Sequence, residues 1–467
     1  MRKIHFIGIG GIGMSALASI YLSWGHRVAG SDLKLNNLTE KLSQGGALIF
    51  EGHSAGNVKS DFDIVVRSAC IRENNPEVIA ARKLNIPVIS RSELLRKVLH
   101  EFNFSLVVTG THGKTTTSSL IACIMERIGK NPTVVVGGET ELFDGNAKQG
   151  EGGMIVAELD ESDGYFRNVS STCAVVTNVE EEHMENYGSF ENLKKAYGEL
   201  IGKICPDGFF VFNGEDAQLN SLKSKTKAKK ISFGINGDFD VTCQNYSWKD
   251  SIAFDLIISG KNYARIESPL IGRHNMMNIL AAVAACTASG TLAPGAVLLT
   301  EALKSFKGVK RRFELMGKVG GIRVIEDYAH HPTELKAVIT AAAASAPARL
   351  ICVFQPHRYT RTRDLMNEFS KCFDMTDVLV LTPIYPAGEE KIEGISSRVL
   401  CDKIDSALFE KLTVMEKKNV SDFLAGFVKE NDTILILGAG DIREISKEVI
   451  SSLADELTAG RKGVFLC

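Results

Sequence analysis

Short apolar runs rich in β-branched residues alternate with helix-length patterns over most of this chain. The strand-like runs are Ile4–Ile9, Asp63–Arg67, Ser105–Thr109, Thr133–Val136, Met154–Glu158 and Ala174–Asn178. They resume at Ile322–Glu326, Leu350–Phe354, Val378–Leu381 and Thr433–Leu437. Met14, Leu17, Ala18 and Tyr21 repeat at helical spacing after the first run, and Ser92–His100 reads as a helix. Strand–helix alternation of this kind predicts an α/β protein with largely parallel sheets. From 208 to 267 the runs Phe209–Phe212, Val241–Tyr246, Ile252–Ile258 and Tyr263–Ile266 follow one another without room for helices, which predicts an antiparallel addition.

The 467 residues exceed one domain several times over, at roughly 150 residues per domain. Breaks in the pattern near 103 and 308 predict segments 1–103, 104–308 and 309–467. The expected architecture is an N-terminal Rossmann-like domain, a central P-loop ATPase-type domain carrying the antiparallel addition, and a C-terminal Rossmann-like domain.

Composition narrows the class. Hydrophobic residues make up 44% and charged residues 24%, enough for an ample core, and the net charge of −2 leaves no electrostatic footprint for nucleic acid or an anionic membrane. Ten cysteines stand singly (Cys70, Cys123, Cys173, Cys205, Cys243, Cys286, Cys352, Cys372, Cys401, Cys467) with no CxxC and no zinc spacing, as expected for reduced thiols. Met1-Arg2-Lys3 and the apolar stretch after it imitate a secretory signal, but four glycines between Gly8 and Gly13 disfavour a signal helix. The alanine-rich stretches 279–299 and 337–355 are interrupted by Gly, Pro or Arg. The expectation is a cytoplasmic protein without a membrane span.

Two glycine motifs carry chemistry. Gly8-Ile9-Gly10-Gly11-Ile12-Gly13 fits G-x-G-x-x-G between a strand and a helix, where backbone N–H groups can approach a diphosphate. Asp32 stands about 20 residues on, where a ribose-binding carboxylate would. Alone, this motif says NAD or FAD. Val108-Thr109-Gly110-Thr111-His112-Gly113-Lys114-Thr115-Thr116 is a phosphate loop in which Val108 replaces the first Walker glycine. Its N–H groups can nest phosphate oxygens, Lys114 supplies charge, and the Thr115 hydroxyl can ligate Mg²⁺. The motif predicts ATP binding.

The loop G-T-H-G-K-T-T-T, together with the N-terminal glycine turn, resembles the Mur ligases, ATP-dependent amide ligases of bacterial cell-wall precursor synthesis. Further segments extend the resemblance over essentially the whole chain. Each has an ordinary structural reading: Glu158–Asp163 as a solvated turn, His183 as a structural histidine, Asn275 as a helix cap, and the arginines of Gln355–Arg363 as a surface patch. The resemblance implies functional readings instead. It makes Glu158, His183 and Thr115 ligands of Mg²⁺, with two ions in all. It places Gly110, Thr111, His112, Gly113, Lys114, Thr115, Thr116, His274, Asn275, Asn278, Arg312 and Asp327 at ATP, with Lys114, His183 and Arg312 catalytic. Gly8, Gly10, Gly11, Gly13, Ser31, Asp32, Ser68 and Arg91 would serve a UDP-sugar, and Tyr328, His330, Arg358 and Arg361 an amino acid.

Where some relatives carry a carbamoylated lysine, this chain has Tyr197, and where the family usually shows Asn it has Asp441. The opening His5–Met14, Asp327–Glu334 and Gln355–Arg363 resemble the branch that adds L-alanine to UDP-N-acetylmuramate. Implied partners are therefore UDP-N-acetylmuramate, L-alanine and ATP, with the chain a monomer or weak homodimer. Three alternatives stay open here. One is a recycling ligase adding a preformed tripeptide to the same nucleotide sugar. The second is an NAD-dependent oxidoreductase built on Gly8–Gly13, which leaves Lys114, Glu158 and Arg312 unexplained. The third is a non-catalytic ATP-binding regulator.

Overall fold

In this computed structural model, residues 1–292 and 295–463 are described. Cys467 and residues 293–294 of the first alanine-rich stretch lie outside them. The strands assemble into three sheets.

The first sheet holds β1 (Lys3–Ile7), β2 (Arg27–Asp32), β3 (Leu48–Glu51), β4 (Ile64–Arg67) and β5 (Val88–Ser90) in the order β3-β2-β1-β4-β5. All its pairings are parallel. β1 is flanked by β2 and β4, so the turn leaving its carboxyl end opens where the strand order reverses, which is where open α/β sheets bind ligands.

The central sheet contains β6 (Phe104–Thr109), β7 (Thr133–Thr140), β8 (Gly145–Lys148), β9 (Met154–Glu158), β10 (Ser171–Val176), β11 (Ile204–Asn213), β12 (Lys229–Phe233), β13 (Val241–Ser247), β14 (Ile252–Ile258) and β15 (Lys261–Ser268). Their order is β15-β14-β13-β12-β11-β10-β6-β9-β7-β8. β6 lies between β9 and β10 and is parallel to both, so the loops after these three strands emerge side by side. Leu106, Val107 and Val108 of β6 are fully buried, as a strand covered on both faces requires.

Part of the expectation for 208–267 needs correcting, although β13, β14 and β15 do follow one another as sheet neighbours with no helix between them. Phe209–Phe212 lies within β11, which pairs parallel with β10 and β12, and the helix Ala217–Leu222 intervenes before β12. The β12–β13 contact is parallel too.

The third sheet holds β16 (Glu314–Val319), β17 (Ile322–Asp327), β18 (Leu350–Phe354), β19 (Val378–Leu381), β20 (Lys411–Val414) and β21 (Thr433–Leu437), ordered β16-β17-β21-β18-β19-β20. Only the edge pair β16–β17 among these is antiparallel.

The chain forms two compact units: Met1–Tyr246, Ala253–Pro269 and Asn275–Val309 in one, and Ser247–Ile252, Leu270–His274 and the chain from Lys310 in the other. In the first unit one continuous apolar core runs from Ile4 and Phe6, through Leu94 and Leu95, to Val107, Tyr197 and Phe210. The second unit has a core on each face of its sheet, one around Phe354 and Phe369, the other around Val353 and Leu424. Most of the nine described cysteines are buried. Among the described residues no helix is long and apolar enough to cross a membrane.

Candidate active site

Two positions of the phosphate loop admit only glycine. Gly110 has φ +131° and Gly113 φ +82°. A Cβ on Gly110 would lie 2.1 Å from Thr177 Oγ1, and one on Gly113 2.4 Å from Asn278 Oδ1. The loop is tied to the end of β10 from the neighbouring strand. Thr111 N–H donates to the Asn178 carbonyl (3.1 Å), and His112 N–H donates to Asn178 Oδ1 (2.8 Å). Asn178 Nδ2 and Thr177 Oγ1 both donate to the His112 carbonyl, at 3.1 and 2.6 Å. The His112 ring nitrogen Nε2 lies 3.5 Å from Glu180 Oε2. Gly113 caps the helix Lys114–Arg127, whose first turn buries Thr115 and Thr116. This helix N-terminus, with its loop amides, suits anionic oxygens.

Lys114 Nζ donates to the carbonyls of Gly110 (2.7 Å) and Thr111 (3.0 Å) and to Glu161 Oε1 (2.9 Å). Burial works against its charge, but Glu161, Asp160 and Glu158 raise its pKa above the usual lysine value. Burial pushes the Glu161 carboxyl up, against the pull of Lys114. Burial also opposes ionisation of Asp160, yet Arg91, Lys114 and Ser162 hold it at about 2. His183, in the left-handed region at φ 59°, sets Nε2 3.7 Å from Glu161 Oε1 and Nδ1 3.7 Å from Glu185 Oε1. Burial lowers its pKa, but Glu185, Glu182, Glu161 and Asp160 carry it above the ordinary value.

Glu161, Glu182 and His183 offer ligand atoms within 4.8 Å of one another. Glu158 is not in that group; its Oε2 accepts the Gly137 N–H (2.9 Å). Asn278, which abuts Gly113, donates to Asn275 Oδ1 (3.2 Å) and accepts from Thr117 Oγ1 (3.3 Å).

The N-terminal glycine turn hangs from Ser31, whose carbonyl accepts the N–H groups of Gly8 (2.8 Å) and Ile9 (3.0 Å). Asp32 Oδ2 accepts Gly10 N–H (2.8 Å), and Asn36 Nδ2 donates to the Gly10 carbonyl (3.1 Å). Gly11 N–H closes the turn on the Gly8 carbonyl (3.2 Å). Ser68, at the end of β4, lies beside Gly8, and Arg91 packs so closely on Gly13 that a Cβ there would meet its guanidinium at 2.6 Å. Arg91 also reaches Asp160 Oδ2 (3.0 Å), linking this turn to the loop after β9. The Ser31 hydroxyl points elsewhere, donating to the buried Glu77 Oε2 (2.6 Å).

In the second unit, the loops leaving β17, β18 and β19 carry a second group. Asp327 is buried, its two oxygens accepting N–H from Phe313 and Ala329 (both 2.7 Å). Burial raises its carboxyl to about 6 against the pull of Arg312. Arg311 and Arg312 stack on Tyr328 at 4.6 and 5.3 Å. His330 donates from Nδ1 to the Tyr328 carbonyl (2.9 Å) and meets the His357 ring edge-on at 5.9 Å. His357 stacks on Tyr385 at 5.5 Å and accepts from Arg361 (3.2 Å). Burial, then His330, Arg361 and Arg358, depress His357 to about 3, so it is neutral. Arg358, at φ 71°, lies 3.9 Å from Glu389, which also takes the Thr360 N–H (3.1 Å) and hydroxyl (2.6 Å). His274, half-buried beside Gly272 and Ala341, is lowered to about 4 by burial and Arg312.

Known families supply the comparison. The model for the Mur ligase family, catalytic domain, matches residues 3–103; that for the Mur ligase middle domain matches 108–286; that for the Mur ligase, glutamate ligase domain, matches 311–440. The UDP-N-acetylmuramate–L-alanine ligase of Geotalea daltonii is 39% identical over 457 residues, covering 97% of this chain and 99% of that protein. This chain belongs to the Mur ligase family. The crystal structure of the UDP-N-acetylmuramate–alanine ligase of Thermotoga maritima matches with a TM-score of 0.82 and 32% identity, over 97% of this chain and 99% of that one. A murein peptide ligase of Psychrobacter arcticus shares the fold at 20% identity, with a TM-score of 0.73 and coverage of 97% and 99%.

Of the site residues expected of this Mur ligase from sequence, the structure gathers Gly110–Thr116 with Asn275 and Asn278. It gathers Gly8–Gly13 with Asp32, Ser68 and Arg91, and Tyr328 with His330 and Arg312. It ties Glu158 to the Gly137 N–H, outside the Glu161–Glu182–His183 group, and turns the Ser31 side chain away from the glycine turn. Sequence reasoning gave no role to Asn178, Asn36, Glu161, His357 or Glu389. Glu161 and His357 stood inside the segments Ala157–Asp163 and Gln355–Arg363, so the spacing drew attention to the segments without selecting the residue.

Proposed function

We propose that this Mur ligase joins L-alanine to the lactyl carboxylate of UDP-N-acetylmuramate at the expense of ATP, releasing ADP and phosphate. The observation that carries the reading is the full-length similarity to proteins named for that reaction, 39% and 38% identical to this chain. The phosphate loop supports it. Lys114 stands on the loop's own carbonyls at the head of a helix, within a side-chain swing of where phosphate oxygens would meet the loop amides.

The lactyl carboxylate attacks the γ-phosphorus, the bond to the β,γ-bridging oxygen breaks, and ADP leaves an acyl phosphate. The alanine amine then attacks the acyl carbon and expels inorganic phosphate. No covalent nucleophile of the protein is needed, so positioning and charge compensation carry the rate.

Roles follow for this chain's residues. Lys114, the loop amides and Arg312 meet the phosphates, and Asp327 the ATP ribose. The Gly8–Gly13 turn, Asp32, Ser68 and Arg91 hold the UDP-sugar, while Arg358 and Arg361, beside neutral His357, hold the alanine carboxylate. Thr115, Glu158, Glu161, Glu182 and His183 provide the oxygen and nitrogen ligands that magnesium accepts, and the unpartnered buried Glu161 Oε2 fits such a cation. Magnesium there would neutralise charge on the transferring phosphoryl group. The reading is tested by amino-acid-dependent phosphate release from ATP with UDP-N-acetylmuramate. L-alanine should support it, whereas release with the preformed tripeptide but not with L-alanine would refute it.

A further inference from the structure

Glu77 stands in the first turn of the helix Pro76–Lys83, which follows β4, and it is fully buried. No step of the ligase reaction uses its carboxylate, yet four donors from three other segments converge on it. His5 Nε2 of β1 (2.9 Å) and the Ser31 hydroxyl of β2 (2.6 Å) meet Oε2. Ser54 N–H (3.1 Å) and Asn57 Nδ2 (2.7 Å), both after β3, meet Oε1. Burial opposes the charge, but the bonds from His5, Ser31 and Asn57 hold the carboxyl below its ordinary pKa, so it is an anion. A buried anion is tolerated when its oxygens are supplied with donors, and both of these are.

The convergence fixes the protons. An ionised carboxylate only accepts, so His5 donates from Nε2 and the single Ser31 hydroxyl proton is committed to Glu77. Ser31 Oγ also lies 2.9 Å from His53 Nδ1. With its own proton spent, the hydroxyl accepts there, which places a hydrogen on His53 Nδ1. A relay therefore runs from His53 through Ser31 to Glu77. Ser31 is also the residue from which the glycine turn hangs, its carbonyl accepting Gly8 N–H (2.8 Å) and Ile9 N–H (3.0 Å). The loop after β3 returns to the same turn. Asn57 Nδ2 donates to the Gly52 carbonyl (3.2 Å), Gly52 N–H donates to the Asp32 carbonyl (2.7 Å), and the Asp32 carboxylate takes Gly10 N–H (2.8 Å).

We infer that Glu77 is the positioning residue of the nucleotide-sugar site, holding β1, β2 and the loop after β3 in the arrangement that presents the Gly8–Gly13 amides to a diphosphate. The ends of these strands cannot shift without pulling a donor off a buried charge, and such a bond is costlier to lose than one to a neutral acceptor. Ser31 is gripped at both polar ends, by Glu77 at its hydroxyl and by the turn at its carbonyl. The inference rests on the reading of Gly8–Gly13 as the UDP-sugar site. It concerns affinity for that substrate alone, since the phosphate loop hangs from the end of β10 instead.

The test measures UDP-N-acetylmuramate binding to the full-length protein by calorimetry, and its KM by phosphate release. Glu77→Gln keeps the shape but replaces an acceptor by an amide donor. It should raise Kd and KM for UDP-N-acetylmuramate by about 10- to 100-fold, the scale of one or two lost bonds to a buried charge, with kcat and the KM for ATP within about twofold. Ser31→Ala keeps the carbonyl and cuts the relay. It should raise Kd by a smaller factor, and it carries the test should Glu77→Gln fail to fold. At about pH 8.5, nitrogen-15 spectra should show the His53 proton on Nδ1 in the parent and shared between both ring nitrogens in Ser31→Ala. Val78→Ala hollows the apolar core under the same helix and should lower Tm without moving Kd. An unchanged Kd in both Glu77→Gln and Ser31→Ala, or an equal rise in Val78→Ala, would overturn the inference. A parent chain that binds no UDP-N-acetylmuramate would sink the reading of the turn as well, whereas a parent that binds it no better than Glu77→Gln sinks this inference alone.

Discussion

Lys114, half-buried, and Asp327, buried, show what single charged groups contribute. Lys114→Ala removes the only side-chain ammonium bonded to the loop carbonyls among the described residues. Turnover should fall by about 10³-fold or more, the scale on which charge stabilisation of a phosphoryl group operates. Binding of UDP-N-acetylmuramate, measured by calorimetry, should persist, because that ligand is assigned to the other glycine turn; unchanged turnover would remove the loop from the mechanism. Asp327 makes a pH-dependent prediction. Its carboxyl is raised by burial to about 6 in the native state. Between about 4 and 6 the native protein therefore binds a proton that the unfolded chain has released, and stability from this group falls as pH rises through that window. A shift of this size is worth up to about 3 kcal/mol. Asp327→Asn should be less sensitive than the parent chain to raising the pH from 4 to 6.5 in urea unfolding, and an identical pH profile would contradict the assignment. His357, depressed to about 3, acts in the opposite sense, since its unfolded form takes up a proton first as pH falls below about 6.5.

At the scale of elements, the loop after β6 is held by the strand beside it. Asn178, just past β10, spans the His112 peptide with both ends of its amide. Asn178→Ala deletes two hydrogen bonds and should cost about 1–3 kcal/mol. It should raise the KM for ATP more than it lowers kcat, because the loop is misplaced rather than stripped of charge. A fall in kcat alone would point to direct participation instead. The strands themselves were legible in the sequence. Met154–Glu158, Leu350–Phe354, Val378–Leu381 and Thr433–Leu437 are apolar through their centres, buried there on both faces, and they form as read. The misreading of Phe209–Phe212 has a physical source. The helix Ala217–Leu222 is short and reads AQLNSL, with only Leu219 and Leu222 buried, too little periodicity to announce a crossover. Site residues divided in the same way. Glycine and lysine of the loop are dictated by local geometry, whereas seeing Lys114 pair with Glu161, or Ser31 turn to Glu77, depends on contacts between distant parts of the chain.

At the scale of the whole molecule, three segments matching three family models are distributed over two compact units, and the packing explains why. Residues 1–103 share one apolar core with the central segment, and polar ties reinforce it. Trp24 Nε1 donates to Gln149 (2.9 Å), Lys41 bonds Asp144 (2.8 Å), Asn146 bonds Ser15 (3.0 Å), and Arg91 bonds Asp160 (3.0 Å). Among the described residues, the cores on the two faces of the third sheet draw on residues from Phe313 to Leu453. Burial of apolar area is what offsets conformational entropy, so a segment that keeps its whole core keeps its stability when excised. A fragment spanning 310–467 should therefore unfold in a single cooperative thermal transition with native-like near-ultraviolet dichroism. A fragment spanning 1–103 should expose the faces it shares with the central segment, bind anilinonaphthalene sulfonate, and melt at lower temperature and over a broader range than the same segment within 1–309. Equal melting of the 1–103 fragment and the 1–309 chain would mean that the shared core contributes nothing to holding the glycine turn, and that the Arg91–Asp160 link joins two independently folding bodies.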